Sequence, residues 1–174
     1  MTEKHDTLPR VFVSIGSNIE PEKHLPEAVR LLREQCTVHR VSSVYQSPAF
    51  GHTEQPDFMD MVVEITTRTL PQIFKDNVLE KIEKKLGRDR ASQENKYGPL
   101  TLDMDILLWG EAAFSYGKKP WRVPDKNILK YAAMAIPLAE IAPDFVHPTE
   151  KVTLKEIADR FDPNEIRLTD LKIE

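Results

Sequence analysis

The order strand, helix, two strands, helix, strand predicts an α/β chain of the α+β kind: a ferredoxin-like sandwich, a mostly antiparallel sheet with flanking helices against one face. Three observations carry this. Residues 11–15, set between Pro9 and Gly16-Ser17-Asn18, form an apolar run halted by turn residues. Leu25, Ala28, Val29 and Leu32 recur at helical spacing after Pro21, which predicts a helix over 21–35. Residues 38–45 and 58–66 are both rich in β-branched side chains and are read as a strand pair.

The remaining elements follow in order. The connection 46–57 carries Pro48, Gly51 and Pro56, and a loop of this length in a compact domain is more often functional than filler. Ile73, Phe74, Val78, Leu79 and Ile82 mark the apolar side of a second helix over 70–86, ended by Gly87. Residues 87–100 mix turn formers and charges without an apolar period and are read as a second loop. A strand over 101–109 closes at Gly110. Then come a basic, turn-rich segment, a short apolar helix over 132–141 and a polar tail helix near 153–160.

Composition narrows the function. The 174 residues, 40% of them hydrophobic, suit one globular domain. Twenty-four Lys and Arg against 28 Asp and Glu leave a formal charge of -4, so there is no overall electrostatic case for a nucleic-acid or membrane partner. An anion site must be a local cluster. The single cysteine, Cys36, cannot form an internal disulfide, and no apolar run approaches the roughly 18 residues of a membrane span. The expected location is cytoplasmic.

Three clusters could carry chemistry. Asp103 and Asp105 stand two apart in an apolar strand, so their carboxylates share a face, repel one another and suit Mg²⁺ bound to phosphates. Gly87-Arg88-Asp89-Arg90 offers two guanidinium groups to phosphoryl oxygens. Phe58 and Asp60, beside the loop Ser47-Pro48-Ala49-Phe50, pair a ring with an acceptor and suit a flat nitrogen heterocycle. The plainer readings are two surface aspartates, a solvated helix end and a core ring. Gly16-Ser17-Asn18 lacks the spacing of a phosphate loop, the five histidines lack zinc spacing, and Cys36 has no catalytic partner in view.

Gly16-Ser17-Asn18, Ser42-Ser43 with Tyr45 and Pro48, Gln55-Pro56-Asp57-Phe58, Gly87-Arg88, Tyr97-Gly98-Pro99, residues 101–106, Val123-Pro124 and Pro137-Leu138 with Ile141-Ala142-Pro143 occur in one order. Together they resemble the 6-hydroxymethyl-7,8-dihydropterin pyrophosphokinase family from about residue 11 to 148. The resemblance implies a single domain over 1–174, with a C-terminal extension from 149. It also implies transfer of a pyrophosphoryl group from ATP to a reduced pterin in folate biosynthesis. It further assigns two Mg²⁺ ions to Asp103 and Asp105, ATP phosphates to Arg88 and Arg90, and the nucleotide surroundings to Glu83, Tyr97 and Ile106. The pterin pocket falls on Ser47, Pro48, Phe50, Phe58 and Asp60.

The chain departs from that pattern at five site positions. Leu100, Asp125 and Tyr131 stand where the family usually has an arginine, a histidine and an arginine. Ala133 replaces the second aromatic of the pterin sandwich, and Asp60 replaces an asparagine. The departures leave two alternatives beside the pyrophosphokinase: a paralogue with a modified pterin acceptor, and a non-catalytic pterin- or nucleotide-binding module.

Overall fold

The apolar run near the start of the chain becomes β1 (Val11–Ser17), buried along its whole length. It lies between β4 (Phe58–Thr66) and β5 (Asp103–Trp109), antiparallel to both. The computed structural model describes residues 7–49, 54–88 and 102–174. Across the sheet the order is β5-β1-β4-β3-β8, with β2 (Thr37–Val41) also on β4, β3 being Tyr45–Ser47 and β8 Arg167–Leu168. Every described pairing in it is antiparallel.

The single strand expected over 38–45 is thus two, β2 and β3. The break falls at Ser42, whose hydroxyl accepts the Val62 N–H at 2.9 Å while its own N–H donates to the Val62 carbonyl. A side chain takes over one rung of the ladder and frees the backbone to turn.

Helices cover both faces of the sheet, not one as expected. Val11, Val13 and Ile15 meet Leu25, Ala28, Val29 and Leu32 of α1 (Pro21–Gln35) together with Phe74 and Leu79. Phe12, Val62, Leu107 and Leu108 meet Ala135 and Leu138 of α4 (Ala132–Ile141) and Leu154 and Ile157 of α5 (Leu154–Ala158). A strand that is apolar at 11, 12 and 13 alike has no solvent side, so each face needs a helical layer. No described helix is long and apolar enough to cross a membrane.

The second helix is not continuous either. It runs as α2 (Pro71–Phe74), a π-helical turn at Lys75–Leu79 and α3 (Glu80–Lys85). A π turn widens the helix and resets which side chains face inward, and Lys75, at 1% exposure, is turned in. The segment read as basic and turn-rich contains a hairpin, β6 (Phe114–Tyr116) with β7 (Trp121–Val123). Its rings explain it: Tyr116 contacts Phe114 at 5.9 Å and Trp121 at 5.8 Å. The tail strand β8 was also unforeseen. Beyond it, Leu171 and Ile173 pack against the core.

Candidate active site

Along the α4-facing side of β1 the residues run Phe12, Ser14, Gly16: a large ring, a hydroxyl, then no side chain. Phe12 lies in the core with Ala135 and Leu138 of α4. Past it the sheet surface opens into a cavity walled by Ser14, Gly16, Phe58, Asp60, Asp103 and Asp105, with Leu107, Asp125, Asn127 and Met134 completing the rim.

Strand register sets the geometry. Gly16 stands opposite Asp60 on β4 and Asp103 on β5, while Ser14 stands opposite Asp105. Asp60 and Asp103 therefore flank a position without a side chain, and Asp105 follows on the same face as Asp103. A Cβ at Gly16 would overlap the Asp60 carboxylate. The glycine is what lets that carboxylate fold over β1.

The cavity concentrates negative charge against fixed cations. Arg88 Nη1 donates to Asp103 Oδ1 at 2.7 Å and to the Leu102 carbonyl at 2.9 Å. Lys75 Nζ donates to Asp105 Oδ1 at 3.0 Å and to the Met104 carbonyl at 2.6 Å. Asp60 is buried, and its Oδ2 accepts a long hydrogen bond, 3.4 Å, from the Ser47 hydroxyl. Asp125 caps the short turn Lys126–Ile128 by accepting the Asn127 N–H at 2.8 Å.

Titration follows from these surroundings. Burial raises Asp60 to about 7, opposed by the Ser47 hydroxyl and reinforced by Asp103. Burial and then the charge of Asp105 raise Asp103 to about 7, against the pull of Arg88. Burial raises Asp125 to about 6, with the Asn127 N–H opposing it. Burial works against the charge on Lys75, but Asp105, Glu83 and Asp103 outweigh it and its pKa rises.

Of the residues singled out in the sequence, Phe58, Asp60, Asp103 and Asp105 line one cavity. Ser47 and Arg88 join them through hydrogen bonds to Asp60 and Asp103. Others stand apart. Pro48 is exposed just past β3 and is not part of the cavity wall. Ile106 is 2% exposed and faces the opposite, α1-side core, because it alternates with Asp105 along β5. Glu83 lies at the outer edge of β5, where its Oε1 accepts the Met104 N–H at 2.9 Å. Phe50, Arg90, Tyr97 and Leu100 lie outside the described residues. Among the departures, Asp125 lines the cavity and Tyr131 is the N-cap of α4.

Sequence reasoning passed over Ser14, Asn127, Met134 and Lys75. Two left a signal: Ser14 is the hydroxyl inside an apolar run, and Lys75 interrupts the apolar side formed by Phe74, Val78 and Leu79. Asn127 and Met134 reach the wall only through folding of segments far from the strands.

Asp103 and Asp105 offer the hard oxygen donors that Mg²⁺ prefers, and their mutual repulsion is what a cation would relieve. Among the described residues no group of three or more His, Cys, Asp or Glu side chains could hold a metal ion. A cation on the pair would complete its shell with water or with ligand oxygens.

The chain has close relatives in sequence. A sequence model of the 7,8-dihydro-6-hydroxymethylpterin-pyrophosphokinase (HPPK) family matches residues 12–143. The 2-amino-4-hydroxy-6-hydroxymethyldihydropteridine pyrophosphokinase of Aquifex aeolicus is 32% identical over 147 residues, 84% of this chain and 88% of the relative. The Haemophilus influenzae protein of the same name is 31% identical over 154 residues, 85% of this chain and 92% of the relative. In structure, wild-type Plasmodium falciparum HPPK-DHPS superposes with a TM-score of 0.71 at 10% identity, covering 91% of this chain and 42% of that one. This chain therefore spans less than half of that larger protein, and the likeness bears on the fold. With three quarters of its length matched by the family and relatives above 30% identity, the chain belongs to the 7,8-dihydro-6-hydroxymethylpterin-pyrophosphokinase family.

Proposed function

We propose that this chain transfers the pyrophosphoryl group of ATP to the hydroxymethyl oxygen of 6-hydroxymethyl-7,8-dihydropterin, releasing AMP, as a step of folate biosynthesis. The observation that carries it is the meeting of the Asp103/Asp105 pair with Phe58 and Asp60 in one cavity of a chain of this family. In the reaction the hydroxymethyl oxygen bonds to the β-phosphorus and loses its proton. The bond from that phosphorus to the oxygen it shares with the α-phosphorus breaks, and AMP leaves with that oxygen.

Each wall has a part. Asp103 and Asp105 would hold Mg²⁺, two ions on the family pattern, which would supply charge neutralisation for the phosphates and the attacking oxygen. Arg88 steadies Asp103 and, with Arg90, engages phosphate oxygens. Asp60 accepts N–H groups from the amino-amide edge of the pterin, the Ser47 hydroxyl fixes its far oxygen, and Phe58 packs on the ring. Glu83 and Ile106 serve the nucleotide side from behind, by holding β5 in place. Cytoplasmic ATP and a reduced pterin as partners, and one catalytic domain over 1–174, belong to the same reading.

The test is to incubate the full chain with ATP, Mg²⁺ and the dihydropterin and to separate AMP and pterin pyrophosphate by chromatography. The two products should form in equal amounts, and Asp105→Ala should lower the rate by about a hundredfold or more. Nucleotide binding without AMP release would favour a binding module instead. Turnover only with an altered pterin would favour a modified acceptor, a reading that Asp125 in the cavity wall and Ala133 on α4 support.

A further inference from the structure

Lys75 is buried to 1% exposure in the π turn, between apolar neighbours Phe74, Val78 and Leu79 that lie in the core. Its side chain crosses the outer edge of β5 and ends on two oxygens, the Met104 carbonyl at 2.6 Å and Asp105 Oδ1 at 3.0 Å. The indole of Trp121 covers the ammonium, 5.4 Å from the ring centre. That indole is seated on Gly117, where a Cβ would overlap the ring. A buried ammonium is costly unless opposite charge and hydrogen bonds meet it, and here they are supplied by the strand that carries the two cavity aspartates.

Both aspartates thus face a fixed cation at one oxygen, Arg88 on Asp103 and Lys75 on Asp105. A free divalent cation approaching the pair meets carboxylates whose charge is already shared, and two positive side chains that repel it. No third ligating side chain among the described residues makes up the difference. A cation carried by a triphosphate differs on both counts. It brings its own oxygen ligands, and the negative charge around it is attracted to Lys75 and Arg88.

We propose that Lys75 is a positioning residue that holds Asp105 and keeps the Asp103/Asp105 pair from taking a divalent cation alone, so that the cation enters with the triphosphate. The proposal rests on the transferase reading for the role of the pair, yet its test does not depend on turnover. Mn²⁺ is titrated into the full chain without nucleotide, and free Mn²⁺ is followed by electron paramagnetic resonance. Lys75→Met and Lys75→Gln remove a positive charge that repels the cation and should bind Mn²⁺ about tenfold or more tightly than the unaltered chain. Lys75→Arg, which keeps the charge, should stay with the unaltered chain, and Asp105→Asn added to Lys75→Met should abolish the gain. A merely structural role for Lys75 would weaken binding or leave it unchanged.

Near-UV circular dichroism checks that each variant is folded. If Lys75→Met is not, Lys75→Gln, which keeps a neutral N–H donor, carries the test. Unchanged or weaker Mn²⁺ binding in the folded uncharged variants overturns the proposal, as does Lys75→Arg binding as tightly as Lys75→Gln. Failure of the unaltered chain to release AMP overturns the transferase reading instead, and the two failures are read from separate assays.

Discussion

The two edges of the sheet are closed by different means. At β5 the closure is made largely by side chains: Glu83 accepts the Met104 N–H and Lys75 donates to the Met104 carbonyl, while the Asp125 N–H reaches the Leu107 carbonyl at 2.9 Å. At β3 it is made by backbone, with Tyr45 and Gln46 paired to Leu168 and Arg167 of β8 and the Thr169 N–H on the Val44 carbonyl at 3.0 Å. An uncovered edge invites pairing with another chain, and both devices prevent it. The first brings buried charge to the strand that carries Asp103 and Asp105. The second is neutral and leaves its own strand exposed. Lys75 thus closes the edge of β5 and steadies Asp105 at once.

The largest break in this comparison comes at Glu83. Glu83→Ala leaves the buried Met104 N–H without its acceptor and should cost about 2 kcal/mol in urea unfolding, whereas Glu83→Gln, which keeps a carbonyl oxygen there, should lose less than half of that. At the opposite edge, removing residues 167–174 strips β8 and the partly buried Leu171 and Ile173 from the core. The expected cost is about 1–2 kcal/mol. Because β3 ends at Ser47, which donates to Asp60, the truncated chain should show a raised KM for the pterin with kcat little changed.

A pH effect sharpens the contrast inside the row that joins the edges, Tyr45, Asp60, Gly16 and Asp103. Both carboxylates are raised to about 7, Asp103 by burial and by Asp105 beside it, against a guanidinium, and Asp60 chiefly by burial, with only a hydroxyl at 3.4 Å opposing it, well above its ordinary 3.8. The folded-state pKa of Asp60 is raised, so between those values the folded chain binds more protons than the unfolded one, and stability falls as pH rises from about 4 to 7. Asp60→Asn should flatten that decline. Thermal melts of the chain without ligands at pH 5 and pH 8 should differ by a few degrees less in the variant, and an equal difference would remove Asp60 as its source.

The helices at 21–35 and 132–141 were legible because each is a local pattern: a Pro-started amphipathic repeat and an unbroken apolar stretch. The alternation that puts Asp103 and Asp105 on one face was legible for the same reason. What stayed hidden depends on partners distant in sequence. Lys75 reads as a flaw in an apolar helix face until β5 lies beside it. Asp125 reads only as a departure from the family pattern until its turn folds back on Leu107 and brings it to the cavity wall. The second helical layer is hidden because a run apolar at 11, 12 and 13 alike shows no alternation, and the side chains that cover Phe12 come from segments more than a hundred residues away. β8 is two residues long and both are exposed, so no burial pattern announces it.

The aromatic cover over Lys75 also gives the protein an optical handle. Of the two tryptophans, Trp109 is nearly buried, with its ring 6.2 Å from that of Phe74 in the core. Trp121 has an ammonium 5.4 Å from its ring centre, and that ammonium touches Asp105. An indole's emission is sensitive to charge placed over its ring. Light from Trp121 therefore carries information about the cavity, while Trp109 serves as an internal reference within the same chain.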